Sequence, residues 1–250
     1  LEVEKLGMRL GSVQGGNKRN AIPREATAYG YIPDPKWVLA QERFADFAAK
    51  MQAEFHFADP GLRTEWVGER RKKGKVLKRT LQKRLLRLMD AIPHGVIKMS
   101  HEIPGLVQTS TNFGVLNTGR KQITISTSQR SSVSSELDYA AHSVASLLHL
   151  AGGDVEHSVG YPGWNPNLKS QVLQLVANTH EKIFHKRASV KAIHAGLECG
   201  IIGEKYPGID MVSFGPTIEG AHSPDERVQI QSVEKFWTLL REVISSYAAI

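Results

Sequence analysis

The run Tyr161-Pro162-Gly163-Trp164-Asn165-Pro166 does most to limit how this chain can fold. Two prolines and a glycine so close together can continue neither a helix nor a central strand, so a domain boundary is expected there. The residue pattern differs on its two sides.

On the N-terminal side, Met8 to Gln14 reads as a strand and Gly15-Gly16 as a turn. Asn20 to Ile32 reads as a second extended segment, which Pro23 places at a sheet edge or makes irregular. Asp34-Pro35 predicts a capped helix start, with the helix running to about Phe57 and burying Val38, Phe44, Phe47, Ala48 and Met51 on one face. Leu77, Leu81, Leu85 and Leu88 recur at amphipathic-helix spacing. A hairpin follows: Leu106 to Leu116, a turn over 117–120, then Lys121 to Ser128, where Ile123, Ile125 and Thr127 alternate as in a half-buried strand. Leu137, Ala141, Val144 and Leu148 mark another helix, stopped by Gly152-Gly153, and Val155 to Gly160 reads as a further strand. Together these predict a two-layer α+β domain with an antiparallel sheet over residues 1–163.

On the C-terminal side the pattern alternates. A helix starting at Asn165-Pro166 and carrying Leu168, Val172 and Leu175 leads to a strand near Val190 to Ile193, then a short helical piece. Met211 to Phe214 is a compact apolar strand, a loop spans 215–225, and a last helix carries Val233, Phe236, Leu240 and Ile244. Alternation of this kind predicts part of an α/β domain with a parallel sheet over residues 164–250. Two clear strands would leave edges unpaired, so such a sheet needs strands from elsewhere. The opening Leu1-Glu2-Val3-Glu4-Lys5 has neither an initiator methionine nor a signal-peptide pattern, and reads as a cut through a longer protein.

Composition narrows the function classes. The net charge of +7 is concentrated in Arg70-Arg71-Lys72-Lys73-Gly74-Lys75 and continues through Lys78, Arg79, Lys83, Arg84 and Arg87. Such a run can bind nucleic acid by counterion release. No aromatic residues interleave it as a stacking platform, so it is read as a solvated loop and helix face, with no nucleic-acid partner. No apolar run reaches the length of a membrane span, and no membrane association is expected. Cys199 is the single cysteine, which excludes an internal disulfide and fits a reducing, cytoplasmic compartment.

Taken one at a time, the residues that could carry chemistry leave several readings open. His222 lies in a loop bounded by Gly220 and Pro224 after an apolar strand, where ligands bind in open α/β sheets. It is a zinc ligand or a surface-loop histidine. His194 and Glu198, four apart, could share a helix face toward a metal or make a structural hydrogen bond. Cys199 reads as packing rather than nucleophile. Arg130 closes the second hairpin arm, and an arginine there can clamp a carboxylate through two parallel hydrogen bonds. The stretch Gly15 to Asn20 only loosely suggests a phosphate loop and lacks the Walker pattern.

Three blocks change the balance: Gly15-Gly16-Asn17-Lys18-Arg19-Asn20-Ala21-Ile22-Pro23-Arg24-Glu25-Ala26, Ile193-His194-Ala195-Gly196-Leu197-Glu198-Cys199-Gly200, and Asp210 to Ile218 with His222-Ser223-Pro224-Asp225-Glu226. With Ile92-Pro93-His94-Gly95-Val96 and Gly160-Tyr161-Pro162-Gly163-Trp164, they resemble the aminoacyl-histidine dipeptidases of the M20 class of metallopeptidases, in order along almost the whole chain. The resemblance implies an enzyme with a two-zinc catalytic α/β domain and an inserted lid that mediates homodimer formation. Residues 1–163 would be the later part of the lid and 164–250 the last part of the catalytic domain. It further implies that His222 is a metal ligand and that Asn20, Arg130 and Gly196 contact a dipeptide substrate. Arg130 would hold the free carboxylate. Asn20 would donate to that carboxylate or to the developing oxyanion, and Gly196 would allow close backbone approach. The family's other ligands, its bridging aspartate and its general-base glutamate have no counterpart here. The expectation is therefore the back half of a zinc dipeptidase for Xaa-His substrates, inactive alone. The alternative is a binding or dimerisation module derived from the lid.

Overall fold

A computed structural model describes residues 2–69, 74–101, 103, 105–158, 160, 163–164, 167–191, 198–220 and 226–248. In chain order it forms α1 (Glu2–Lys5), β1 (Arg9–Gly15), β2 (Ala26–Tyr31), a 3-10 turn over Asp34–Lys36 that leads into α2 (Trp37–Glu54), α3 (Arg79–Ala91), β3 (Gly95–Met99), β4 (Val107–Thr118), β5 (Ile123–Ser131) and α4 (Ser134–Leu150). Then come α5 (Gln171–Phe184), α6 (Glu198–Lys205), β6 (Ile218–Glu219), β7 (Arg227–Val228) and α7 (Ile230–Tyr247). The fold is thus a mixture of helices and antiparallel sheet, as expected. Among the described residues, no helix is long and apolar enough to cross a membrane.

The main sheet has the order β2-β1-β4-β3, with β5 also paired to β4. β1 runs antiparallel to β2, from Arg9 opposite Tyr31 to Gly15 opposite Ala26. It meets β4 antiparallel through Gln14–Asn117 and Gly15–Leu116. The turn between β4 and β5 is closed by Gly119 N–H donating to the Gln122 carbonyl at 2.9 Å.

The chain forms two compact units. The first contains residues 1–95, 111–129 and 141–156, the second 96–110, 130–140 and 157–250. In the first unit, half of the predicted leucine stripe is buried on α3: Leu85 and Leu88 point inward, while Leu77 precedes the helix and Leu81 is exposed, its place on the inner face being taken by Gln82. Leu85 packs with Leu10, Val13 and Leu116, and Leu88 packs with Ile92 and Val144 of α4. Gln82, on the same helix, donates to the Met8 carbonyl and accepts from Leu10 N–H, so a buried amide ties α3 to β1. α4 ends as expected: Gly152 has φ +81°, and its N–H and that of Gly153 return to His149 and Leu148 carbonyls.

α2 departs from the expected pattern. Only Ala40 is buried, and Val38 and Phe47 stand 65% and 52% exposed. The helix is held instead near its start, where Trp37 and Phe44 pack edge-on and tilted against Trp66. Asp34 does not cap it, because the residue lies inside the 3-10 turn and no side chain caps that turn or α2. No strand forms over the described residues 155–158 and 160.

In the second unit, Val176 of α5 packs with Leu239 and Val243 of α7, and Val212 and Phe214 close the cluster. The buried face of α7 is rotated from the expected one: Leu239 and Val243 are inside, while Val233 and Ile244 are exposed. α5 starts at Gln171, later than expected, because Ser170 is the true cap: its hydroxyl accepts from Leu173 N–H at 2.9 Å. The expected start at Asn165-Pro166 lies outside the described residues. Val212 and Phe214 are partly buried on one side of Met211–Phe214, as alternate residues of a strand would be, yet the segment joins no ladder. Residues 190 and 191 are not in a strand either, and 192–193 lie outside the described residues. Among the described residues of 157–250, the strands are β6 and β7, an antiparallel pair rather than the expected parallel sheet. A strand needs a neighbouring strand for its backbone groups, and among the described residues none pairs with Met211–Phe214.

Candidate functional site

Asn20 sits in the first unit, in the connection between β1 and β2. This loop is built by backbone approach. Gly16 takes φ +65°, open to glycine at little cost, and donates to the Glu25 carbonyl at 3.2 Å. Ala21 N–H donates to the Lys18 carbonyl at 3.3 Å, closing a tight turn around Asn20. The loop lies directly on β4. A Cβ on Gly114 would stand 2.6 Å from the Arg19 carbonyl oxygen, and one on Gly16 would overlap the Gly114 carbonyl at 1.9 Å. Beside Gly114, the Asn112 amide donates two hydrogen bonds of 2.8 Å to the carbonyls of Arg19 and Ala21. Asn20 itself is exposed, between the two bonded carbonyls.

Arg130 sits in the second unit, next to the end of β5. Its strand neighbour Ser131 shares a buried hydrogen bond of 2.9 Å with Thr109 on β4 and accepts from Val133 N–H at 3.1 Å. Ser132 N–H adds a bond to the Gln108 carbonyl at 3.1 Å. Side chains alternate along a strand, so Arg130 projects from the face opposite Ser131. Its side chain is half-buried and makes no ion pair or hydrogen bond among the described residues. Gly163 lies against this strand end: a Cβ there would stand 2.4 Å from the Ser131 carbonyl.

Gly196, His194 and His222 lie outside the described residues, as do Arg70 to Lys73 of the basic run. The segment holding His222 is flanked by β6 and β7, where Arg227 and Glu219 form an ion pair at 2.7 Å. Among the described residues, no three His, Cys, Asp or Glu side chains come together as a metal centre requires. Burial, and then the neighbouring Glu198 carboxylate, push the Cys199 thiol up, away from the thiolate a nucleophile would need.

Asn112 and Gly114 are what the sequence reading missed. A signal was available: glycine inside an otherwise regular strand marks a place where another backbone comes close.

No protein-family model matches the chain. It is 37% identical over 246 residues to the cytosol non-specific dipeptidase of Escherichia coli (strain K12), across 98% of this chain and 50% of that relative. Its fold matches the crystal structure of aminoacylhistidine dipeptidase from Vibrio alginolyticus with a TM-score of 0.87 at 35% identity, again over 98% of this chain and 50% of that one. The chain is a relative of the aminoacylhistidine dipeptidases. It spans about half the length of the dipeptidases it matches. The identity extends along nearly the whole chain, so the dipeptidase relationship covers both the Asn20 loop and the Arg130 strand.

Proposed function

We propose that this chain is the back half of a metal-dependent dipeptidase that hydrolyses Xaa-His dipeptides, and that its own share of the work is substrate binding. The observation that carries this reading is the 37% identity to a dipeptidase across 98% of the chain. Arg130 adds to it. A half-buried guanidinium without a counter-charge among the described residues suits the free carboxylate of a dipeptide, which arginine grips through two parallel hydrogen bonds. Asn20, presented on a backbone-fixed loop, would donate to that carboxylate or to the oxyanion of the reacting carbonyl. Gly196 would let the backbone approach the substrate.

Zinc, two ions per site in this reading, would supply an activated water and polarise the carbonyl. The described residues do not form such a centre by themselves. His222 is this chain's ligand in the proposal, and one histidine falls short of the usual three or more protein ligands. Residues 1–163 would belong to a lid that pairs two copies, residues 164–250 to the catalytic domain, and the protein would work in the cytoplasm.

The test is to assay Xaa-His dipeptides with added Zn²⁺, using the complete protein and this chain alone. Turnover is expected only from the complete protein, with zinc content and activity falling together in His222→Ala. Metal-dependent turnover by the pure 250-residue chain would remove the half-site reading. Normal zinc content in His222→Ala would remove the ligand assignment.

A further inference from the structure

We infer that Asn112 is a positioning residue for substrate binding, acting through Asn20; the inference rests on the dipeptidase reading above. The geometry is specific. Asn112 Nδ2 donates to the carbonyls of the two residues on either side of Asn20, Arg19 and Ala21, each at 2.8 Å and from more than ninety residues along the chain. Fixing both neighbours fixes the backbone on either side of the Asn20 Cα, and so the direction in which its side chain leaves. Gly114, two residues on and on the same face of β4, lets the Arg19 backbone settle close enough for both bonds. The orientation of the amide is not interchangeable: turned over, it would set its oxygen against two carbonyl oxygens. Asn112 Oδ1 is buried and has no hydrogen-bond partner. A buried carbonyl oxygen left without a donor is a poor choice for stability alone. What it provides is one donor group that reaches both carbonyls.

Binding groups must be held close to their productive geometry, and a displacement of about 1 Å can cost on the order of a hundredfold in rate. Asn112→Leu keeps the size and removes both donors. In the complete protein it is expected to lower kcat/KM for an Xaa-His dipeptide by roughly ten- to a hundredfold. The decisive comparison repeats the substitution in an Asn20→Ala background, where the further loss should be under about twofold, because a residue acting through another has nothing left to act on. Hydrogen exchange of residues 16–22 in Asn112→Leu supplies a reading independent of turnover, and faster exchange there with α3 unchanged is expected. Equal losses in both backgrounds, an Asn20→Ala enzyme with unimpaired kcat/KM, or unchanged exchange in the loop would each overturn the inference while leaving the dipeptidase reading intact. A complete, unmodified protein that hydrolyses no dipeptide would overturn that reading and this inference with it.

Discussion

Substituting Gly114 by alanine tests the docking of the Asn20 loop directly. The new Cβ would stand 2.6 Å from the Arg19 oxygen, 2.7 Å from its Cα and 2.8 Å from its carbonyl carbon. All three are backbone atoms, so no rotamer change relieves them. Ordinary contact begins at 3.4 Å, and the loop must therefore rise by about 0.8 Å. A rise of that size stretches the two 2.8 Å bonds from Asn112 past hydrogen-bonding range. At about 1 kcal/mol net for each bond, docking weakens by about 2 kcal/mol. Local opening then becomes roughly 30 times more frequent. Amide exchange by NMR or mass spectrometry reads this at Gly16 and Ala21, whose N–H groups are bonded within the loop. Amides of α3 around Leu85 and Leu88, in the core, should not change. An unchanged rate at Gly16 and Ala21 would refute the docking geometry. An equal acceleration throughout the first unit would show global destabilisation instead of loop release.

Three further outcomes are expected. Arg130→Lys in the complete protein should raise KM strongly for free dipeptides and much less for C-terminally amidated ones, because lysine cannot form the planar two-point grip; equal losses on both would exclude carboxylate binding. Leu85→Ala, at a site only 4% exposed in the first core, should cost about 2–5 kcal/mol in urea unfolding, and a loss below about 1 kcal/mol would contradict the packing described. Asp210 accepts hydrogen bonds from Ser170 and from Val172 N–H at the start of α5, which hold its carboxyl below the ordinary value of 3.8. A depressed carboxylate stabilises the fold at pH above its unfolded value and loses that contribution as pH falls through the folded one. Asp210→Asn should therefore flatten the acid limb of the stability curve, and an unaltered limb would show that the bonds carry no linkage.

Local pattern alone determined much of this protein. The inward Leu85 and Leu88 of α3, the β4–β5 hairpin and the glycine stop of α4 are written in short-range periodicity and turn chemistry; the hairpin turn falls two residues later than expected, and of the predicted stripe Leu77 lies outside the helix and Leu81 on its exposed side. The residue blocks around Asn20, Gly196 and His222 carry the dipeptidase resemblance by themselves. Other features depend on what lies alongside in space. Met211–Phe214 has the composition of a strand, but a ladder needs a partner, and none of the described segments provides one. The apolar residues of α2 predict a buried face, yet Val38 and Phe47 stay more than half exposed. Asn112 is the sharpest case. Its two acceptors lie more than ninety residues away, so no window of sequence contains both ends of the contact. Only the pairing of β1 with β4 brings the amide beneath the loop it holds.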